Sequence, residues 1–191
     1  MRCFIAIDLS AGVRDALARL LASLRDAAPR ADVRWVDAAQ LHLTLKFLGG
    51  VPDDRVPAIS RALAEAVAGV GAVALSAGGV GAFPSLRRPR VLWAGTTGGA
   101  AELAALAATV DRVAVAHGFP PEARPFRGHL TLGRVRSDRG GAALAKALAA
   151  AGAPDLGAWT ASEVVLYESR LRPTGALYVP ISRHALRGAR R

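Results

Sequence analysis

The sequence predicts an α+β protein built as two similar lobes around one cleft, and three observations support this prediction. Segments that alternate like strands are interspersed with segments whose apolar residues recur at helical spacing. The motif His-Leu-Thr-Leu occurs twice, and its histidines, His42 and His129, are 129 − 42 = 87 positions apart. The elements around both motifs follow a similar order, as in a duplication of about 90 residues. Such a duplication would place the two motif strands on opposite walls of the cleft.

The first lobe is predicted over about residues 1–97 of a single domain that spans residues 1–191. Ser10 is a good N-cap for a first helix to about residue 27, and Pro52 precedes a second helix that ends near residue 68. Strands are expected at residues 2–7, 33–36, 41–48, 73–81 and 91–95, with a basic loop bounded by Pro84 and Pro89. The motif strand directs alternate side chains to opposite faces. Its core face would carry Leu41, Leu43, Leu45 and Phe47, and its other face His42, Thr44 and Lys46.

The second lobe is predicted over about residues 98–182, after a hinge at Gly98 and Gly99. A helix is expected at residues 100–117, then a proline-rich connector and the second motif strand at residues 128–135. Ser137 is predicted to cap a short helix that ends near residue 150. Strands at residues 156–160, 163–169 and 176–181 follow, and residues 183–191 form a basic tail that we expect either to be frayed or to add positive charge for RNA.

Charge and cysteine content narrow the class of protein. The net charge is +10, which favours polyanionic partners such as nucleic acid, although an arginine-rich codon bias is an equally good partial explanation. The single cysteine, Cys3, permits no disulfide framework and suits a reducing cytoplasm. The N-terminal apolar run is too short for a signal peptide. Residues 66–83 are nearly uncharged, but their glycines argue against a membrane span.

The two motifs carry groups suited to displacement at phosphorus. Two matches are hard to ascribe to chance in a chain with four histidines. Histidine titrates near neutral pH, so one imidazole can accept a proton from the nucleophile while the other gives one to the leaving oxygen. Thr44 and Thr131 point the same way as the histidines and can donate hydrogen bonds to the phosphate oxygens. We therefore expect His42 and His129 to act as an acid–base pair.

Other hydrolytic chemistries lack their signatures in this sequence. Neither motif has a third histidine or an acidic residue beside it at metal-ligand spacing, so no metal is expected. The chain has no glycine-rich phosphate loop followed by Lys-Ser/Thr and no nucleophile elbow around serine. Acid–base chemistry without a metal or another cofactor is the prediction that remains.

The sequence resembles the bacterial RNA 2′,3′-cyclic phosphodiesterases, also called 2′-5′ RNA ligases, of the two-histidine (2H) phosphoesterase superfamily. The paired motifs indicate the superfamily, and flanking phrases in the same order along almost the whole chain indicate the subfamily. Those phrases are Phe4-Ile5-Ala6-Ile7, Arg34-Trp35-Val36, Leu41-His42-Leu43-Thr44-Leu45-Lys46-Phe47-Leu48-Gly49, Phe83-Pro84, Arg90-Val91-Leu92-Trp93-Ala94-Gly95, His129-Leu130-Thr131-Leu132-Gly133-Arg134 and Leu166-Tyr167-Glu168-Ser169.

The resemblance implies a bilobal α+β fold in which two antiparallel sheets line a central cleft and the helices pack outside. It implies metal-free hydrolysis of RNA 2′,3′-cyclic phosphate ends to 2′-phosphates, with ATP-independent 2′-5′ ligation as a related reaction. By this analogy His42 is the proton donor and His129 the proton acceptor, roles that the residues alone do not distinguish. Thr44 and Thr131 would bind the phosphate.

Three positions need separate comment. Gly128 stands where the family usually has proline before the second histidine, and this makes the aim of His129 less secure. Arg134 matches a family arginine near the phosphate, but strand parity directs it away from His129 unless a β-bulge intervenes at Gly133. Lys46 has the parity of a phosphate ligand, or it is a residue paired with a carboxylate.

The remaining histidines and aromatic residues are weaker candidates. His117 suits the end of a helix, where a cation is favourable, and His184 lies in the predicted tail. Aromatic residues on strands either stack on a base or, more often, belong to the core; these are Trp35, Trp93 and Tyr167. The predicted basic loop either lines an RNA path or is simply solvated, and its arginines are Arg87, Arg88 and Arg90.

Two other functions stay open from the sequence. The same chemistry could act on a small cyclic nucleotide or an ADP-ribose cyclic phosphate, although the net charge of +10 leans towards RNA. The chain could instead be a non-catalytic RNA-binding module, whose salt-sensitive binding would survive loss of both histidines. The expected partner is RNA with a 2′,3′-cyclic phosphate end, tRNA fragments being one candidate, and we expect a cytoplasmic monomer with no membrane partner.

Overall fold

The computed structural model describes residues 1–172 and 175–188, and within them it contains four α-helices and nine β-strands. The helices are α1 (Ala11–Ala27), α2 (Val56–Val67), α3 (Ala100–Ala116) and α4 (Gly141–Ala151). The strands are β1 (Arg2–Ile7), β2 (Val33–Trp35), β3 (Leu43–Gly50), β4 (Val73–Ser85), β5 (Arg88–Gly98), β6 (His129–Val135), β7 (Asp155–Ala161), β8 (Glu163–Arg172) and β9 (Gly175–Ala185). The α+β class predicted from the sequence is confirmed.

All nine strands form one antiparallel sheet, in the order β7-β4-β5-β6-β3-β1-β8-β9, with β2 paired to the free part of β6. The sequence predicted two sheets, but here the two halves are continuous. They are joined where β3 meets β6, with Leu43 as the register partner of Leu130. The sheet is curled, and on either side of this junction β3 pairs with β1 and β6 pairs with β5.

Each half of the sheet takes strands from both halves of the sequence. The half with β3 and β1 is completed by β8 and β9, whereas the half with β6 contains β5, β4 and β7. The chain therefore crosses between halves after α2 and again after β7, and before α2 it also reaches across at β2, which pairs with β6. The division into repeats at residues 1–97 and 98–182 stays a prediction from element order.

The helices cover one face of the sheet and leave the other face open. In α1 the Ser10 hydroxyl accepts a hydrogen bond from the Val13 amide at 3.4 Å, as predicted for an N-cap. The apolar side of this helix is buried against β7 and α4, whereas α2 and α3 pack together over β9 and β3. One core lies between the helices and the sheet, and the uncovered face forms the cleft.

Three local predictions are wrong. Residues 83–90 are mostly strand: β4 and β5 form a long hairpin in which Pro84 opposes Pro89 beside a bulge, where ladder hydrogen bonds are interrupted. Gly140 precedes α4 in a left-handed conformation, while the hydroxyl of Ser137 donates to Asp32 at 2.7 Å. The predicted frayed tail is partly strand, because β9 extends to Ala185.

His184, which the sequence placed in that tail, is buried at 9% exposure. Its Nε2 lies 2.9 Å from the hydroxyl of Ser182, which in turn accepts a hydrogen bond from Ser60 on α2. Burial lowers the pKa of His184, which fits a neutral ring in a structural contact. Residues 189–191 lie outside the described part of the chain.

Within the described residues, every helix is too short or too polar to cross a bilayer.

Candidate active site

The two His-Leu-Thr-Leu motifs meet at the junction between the halves of the sheet. Leu43 and Leu130 are each 0% exposed and face the core, so their neighbours along each strand face the cleft. The antiparallel register set by this pair puts His42 opposite Thr131 and Thr44 opposite His129. Side chains directly opposite on paired strands have Cβ atoms about 4.5–5.5 Å apart. The four predicted residues therefore form one compact group, with the two imidazoles on its diagonal.

Each imidazole is oriented by a backbone carbonyl two residues before it. Nδ1 of His42 lies 2.8 Å from the Gln40 oxygen, and Nδ1 of His129 lies 2.8 Å from the Arg127 oxygen. A carbonyl only accepts, so Nδ1 carries a proton in both rings. The neutral form of each histidine consequently has its lone pair on Nε2, which is the atom that can take or return a proton in the cleft.

The two rings have different surroundings. His42 packs 4.7 Å from the Phe4 ring and 4.9 Å from Tyr178, edge to face, whereas His129 meets Phe83 edge to face at 5.2 Å. Burial lowers the pKa of His42 below its ordinary value, against the opposing effects of the hydrogen bond to Gln40 and the charge of Asp8. Before substrate binds, His42 is therefore biased towards the neutral form.

A β-bulge in β3 reverses the parity that the sequence predicted after Thr44. Thr44 pairs with Ala6, and Lys46 pairs with Ile5, the adjacent residue of β1. Two residues of β3 therefore span one step of β1, and Leu45 is the additional residue. Ala6 and Phe4 face the cleft, and Phe47, which pairs with Phe4, also faces it with 62% of its side chain exposed. Phe47 was predicted in the core, and this placement is wrong.

The same bulge turns Lys46 away from the motif residues. Its ammonium lies 2.7 Å from Asp111 and 3.1 Å from Glu122, donates to the Pro120 carbonyl at 2.8 Å, and is only 3% exposed. These three acceptors match the three donors of an ammonium group. The structure thus gives Lys46 the carboxylate-paired position that the sequence left open, and does not bring it to the phosphate side of the strand.

A matching bulge in β6 brings Arg134 into the cleft. Thr131 pairs with Trp93 of β5 and Gly133 with Leu92, so Leu132 is the additional residue, one position before the predicted bulge. Arg134 then pairs with Val91 and lies on the same face as Thr131 and His129. Both bulges act at the same distance from their motif: Phe47 and Arg134 are each five residues after the histidine.

Gly128 holds the start of β6 tightly, contrary to the looseness that the sequence suggested. A Cβ at this position would lie 2.6 Å from Leu103 and 2.7 Å from the Thr96 hydroxyl, so a larger residue would have to displace one of them. The Thr96 hydroxyl also donates to the Gly128 carbonyl at 3.2 Å. His129 is therefore aimed by a packed and hydrogen-bonded backbone.

An apolar pocket of about 700 Å³ opens beside Thr44 and His129. Besides the two motif residues, it is lined by aromatic rings, prolines, one leucine, two arginines and the ion pair of Lys46 with Glu122; these residues are Phe47, Phe83, Phe126, Pro84, Pro125, Leu45, Arg124, Arg127, Lys46 and Glu122. This volume falls in the range of small-molecule sites, and apolar walls with a few polar groups are typical of them. The pocket can hold a group much larger than water next to His129.

Several residues that orient the site were missed by the sequence reasoning. Arg14 of α1 donates from Nη1 to the carbonyls of Ala38, Ala39 and Leu41, at 3.0–3.1 Å, and so fixes the segment before His42. Phe4 stacks on Tyr167 at 5.2 Å and forms a platform beneath His42. The Phe4 phrase had been noticed as part of the resemblance, but alternation alone gave no sign that it faced the cleft.

The other aromatic and histidine candidates have structural positions. Tyr167 is 8% exposed, and its hydroxyl donates to Asp8 at 2.5 Å. The ring of Trp93 lies 5.4 Å from that of Phe83 and packs against Gly81, where the ring leaves no space for a Cβ atom. Trp35 packs on the core and under the guanidinium of Arg25. His117 ends α3 with Nδ1 2.9 Å from the Val113 oxygen.

The three arginines of the predicted basic loop lie near the tip of the β4–β5 hairpin, with only Leu86 and Arg87 between the strands. Among the described residues, no three His, Cys, Asp or Glu side chains converge as a metal-binding group would.

A curled α+β sheet with two His-x-Thr strands joined at its centre defines the class of two-histidine phosphoesterases. The sequence model of the LigT-like phosphoesterases matches residues 7–93 and 96–178, one match around each motif. The chain therefore belongs to the LigT-like phosphoesterase family.

Relatives and solved structures agree with this membership. The RNA 2′,3′-cyclic phosphodiesterase of Methanothermobacter thermautotrophicus is 34% identical over 93% of this chain and 95% of its own. The RNA 2′,3′-cyclic phosphodiesterase of Aeropyrum pernix is 36% identical over 83% of this chain and 90% of its own. The crystal structure of Thermus thermophilus TT0787 superposes with a TM-score of 0.80, 28% identity, and 98% and 99% coverage. The crystal structure of Escherichia coli LigT complexed with 3′-AMP superposes with a TM-score of 0.74 and 28% sequence identity, and the match covers 97% of both chains.

Replacing Lys46 by methionine should lower stability and leave catalysis almost unchanged. The methionine keeps the buried stem but leaves Asp111 and Glu122 without their cation, which should cost about 1–3 kcal/mol of unfolding free energy. Urea unfolding and steady-state kinetics measure the two effects. Lys146 of α4 is exposed, and Lys146→Met is the matched control, expected within about 0.5 kcal/mol of the wild type. A tenfold rise in KM of Lys46→Met at unchanged stability would assign the ammonium to the phosphate instead.

Proposed function

We propose that this protein hydrolyses the 2′,3′-cyclic phosphate at RNA ends to a 2′-phosphate, using His42 and His129 as proton donor and proton acceptor. The observation that carries the proposal is the register of the two motif strands. It directs two imidazoles, each held by a carbonyl at Nδ1, into one cleft beside two threonines. The names of the relatives support the same substrate, since several are RNA 2′,3′-cyclic phosphodiesterases.

The reaction needs two proton transfers, and the site offers one group for each. Nε2 of neutral His129 takes a proton from water as the water oxygen bonds to phosphorus. The bond from phosphorus to the 3′ oxygen breaks, and that oxygen receives a proton from Nε2 of protonated His42. The enzyme ends with the two histidines in exchanged protonation states, and proton exchange with water restores them. The 2′ oxygen keeps the phosphate.

The charge that develops on the phosphate is balanced by neighbouring donors. The hydroxyls of Thr44 and Thr131 flank the histidines and make no hydrogen bond to another described residue, so they are available to the non-bridging oxygens. Arg134, turned into the cleft by its bulge, contributes a fixed positive charge on the same face. Because both proton transfers and the charge balance come from side chains, the proposal includes no metal ion.

The lowered pKa of His42 makes a prediction about the alkaline side of the pH profile. A general acid must be protonated, and burial makes the His42 ring lose its proton at lower pH than an ordinary histidine. On the alkaline side, kcat/KM, which reports the free enzyme, is proportional to the fraction of His42 that still holds its proton. Phe4→Ala exposes His42 to water, so the pKa of His42 should rise and kcat/KM at about pH 8.5 should increase relative to kcat/KM at about pH 4.5. Kinetics at these two values test the expectation, because the diester substrate does not titrate between them; an unchanged ratio in Phe4→Ala would contradict the assignment.

The direct test is a short RNA with a 2′,3′-cyclic phosphate end, incubated with the protein in excess EDTA. The expected product is the 2′-phosphate, distinguished from the 3′-phosphate by chromatography against both standards. A 3′-phosphate would reverse the regiochemistry, and loss of turnover in EDTA that added metal restores would refute the mechanism. Turnover of mononucleoside cyclic phosphates but not of RNA would favour the small-nucleotide alternative. Salt-sensitive RNA binding without turnover, retained when both histidines are replaced, would favour the binding module.

Ligation is a second candidate, supported by the pocket beside His129. Hydrolysis needs space only for water at this histidine, yet the pocket there has a volume of about 700 Å³ and aromatic walls. A nucleoside with a 5′-hydroxyl would fit such a site, and its oxygen would replace water as nucleophile to give a 2′-5′ linkage. Adding 5′-hydroxyl RNA in excess should yield this product without ATP.

We also propose that the active form is a monomer, because both histidines come from one chain. We propose a cytoplasmic location, where the single cysteine, Cys3, stays reduced.

A further inference from the structure

Two arginines lie side by side on the open face of the sheet. Arg34 of β2 is the register partner of Arg134 of β6, so their side chains leave adjacent strands at the same level. Neighbouring strands are about 4.8 Å apart. Val33 and Trp35, on either side of Arg34, pack on the core, and Arg34 itself therefore points with Arg134 into the cleft, where both are exposed. The sequence predicts Arg134 as a phosphate ligand, whereas it gives Arg34 no role beyond the phrase Arg34-Trp35-Val36.

This arginine pair lacks a carboxylate partner within residues 1–172 and 175–188. The ion pairs found there involve other cations, including Arg136, which pairs with Asp32 just beyond the end of β6. Like charges directly opposite on paired strands destabilise a sheet. Tyr178 of β9 lies near both arginines: burial raises the pKa of its hydroxyl, and the positive charges of Arg134 and Arg34 oppose that rise. Such a pair is complementary to an anion with more than one oxygen, as a phosphate is.

The pair lies at a defined end of the site. From the C-terminal end of β6 to its N-terminal end, three groups follow one another. Arg134 lies beside Arg34, then Thr131 opposite His42, and then His129 opposite Thr44 and next to the apolar pocket. The proposed mechanism puts the leaving 3′ oxygen at His42 and the nucleophile at His129. The ribose that keeps the phosphate therefore lies towards the arginines, and so does the RNA strand that continues from its 5′ oxygen.

We propose that Arg34, beside Arg134, binds the phosphodiester immediately upstream of the terminal nucleotide. This inference rests on the proposed function and on its assignment of His42 to the leaving group. The reacting phosphate takes Arg134, and the next phosphate along the strand takes Arg34. The protein then prefers an RNA end to a mononucleoside cyclic phosphate, because the mononucleoside has no upstream phosphodiester to offer.

The experiment compares adenosine 2′,3′-cyclic phosphate with the dinucleotide ApA that ends in the same cyclic phosphate. In the wild type we expect kcat/KM to be about 10- to 100-fold higher for the dinucleotide, as one charge-assisted contact to phosphate allows. Arg34→Gln should reduce this ratio to within about threefold of one. A dinucleotide with an uncharged methylphosphonate linkage should lose the same preference in the wild type, and combining it with Arg34→Gln should cause no further loss.

Arg136→Gln is the matched control, since Arg136 is exposed nearby but paired with Asp32, and it should keep the wild-type ratio. An equal loss for both substrates in Arg34→Gln, or an unchanged ratio, would overturn the inference while turnover itself upholds the proposed function. If neither substrate is hydrolysed, the proposed function fails. Calorimetric affinities for adenosine 2′-phosphate and the 2′-phosphorylated dinucleotide then decide: the ratio of dissociation constants should fall from about tenfold to about one in Arg34→Gln, and a ratio near one in the wild type refutes the site.

Discussion

Alanine in place of His129 should lower kcat for an RNA 2′,3′-cyclic phosphate by about 10³-fold, and alanine in place of His42 should do the same. Proton transfer by a positioned side chain contributes about 10²- to 10⁴-fold in enzymes, and each substitution removes one of the two transfers. Both rings lie on the open face of the sheet, outside the core between helices and sheet, although His42 packs against Phe4 and Tyr178. The variants should therefore unfold within about 1 kcal/mol of the wild type, which circular dichroism in urea will measure.

A change of leaving group separates the two roles. A 4-nitrophenyl phosphodiester releases 4-nitrophenolate, a stable anion that needs no proton, so His42→Ala should hydrolyse this substrate nearly as fast as the wild type. His129→Ala should remain impaired, because water still has to lose a proton. The opposite pattern would exchange the roles of the two histidines, and near-normal RNA turnover in either variant would refute the mechanism. His117→Ala, at the end of α3, is the control, and its kcat should equal that of the wild type for both substrates.

Leu43→Ala should destabilise the protein by about 3 kcal/mol and also damage catalysis. Leu43 is fully buried, and removing a buried leucine side chain costs about 2–5 kcal/mol through lost burial and the cavity that remains. Leu43 also provides, with Leu130, the register pair that joins the two halves of the sheet. Relaxation around its cavity would shift His42 and Thr44, which lie on either side of it. We expect kcat to fall at least tenfold at a temperature where the variant is folded.

Leu63→Ala distinguishes a loss of registration from a general loss of stability. Leu63 of α2 is equally buried but lies on a helix outside the cleft. Its replacement should cost a comparable unfolding free energy and leave kcat within about twofold of the wild type. If the two variants lose the same activity at matched folded fraction, the junction pair has no special part in aligning the motifs.

The sequence was most informative where chemistry and local pattern coincided. The His-x-Thr pairs, the Ser10 cap and the apolar stripe of α1 were all predicted from local features, and the structure has the predicted elements. Repetition of the motif gave the pairing of His42 with His129, although not their register. That register follows from contacts between residues 87 positions apart, which periodicity cannot reveal.

The errors have one main physical origin, the β-bulge. Strict alternation directed Lys46 towards the phosphate and Phe47 into the core, and one additional residue in β3 reversed both. In β6, Gly133 indicates a bulge as one of two alternatives for Arg134, and the structure has the bulged alternative, in which Arg134 lies on the face of Thr131. Arg34 was overlooked because β2 is only three residues long and its pairing with β6 is not local.

The exchange of strands between the halves of the sheet has a consequence for how the protein acquires activity. β1, beneath His42, pairs with β8, and the two strands are separated by about 160 residues of chain. The half that holds the proton donor is therefore complete only when β8 and β9, the last two strands of the chain, have paired with it. Neither predicted repeat by itself contains every neighbour that its strands have in the sheet, because β1 pairs with β8 and β5 pairs with β6. We therefore expect donor and acceptor to be positioned together when the chain folds, and a chain cut between the predicted repeats to position neither.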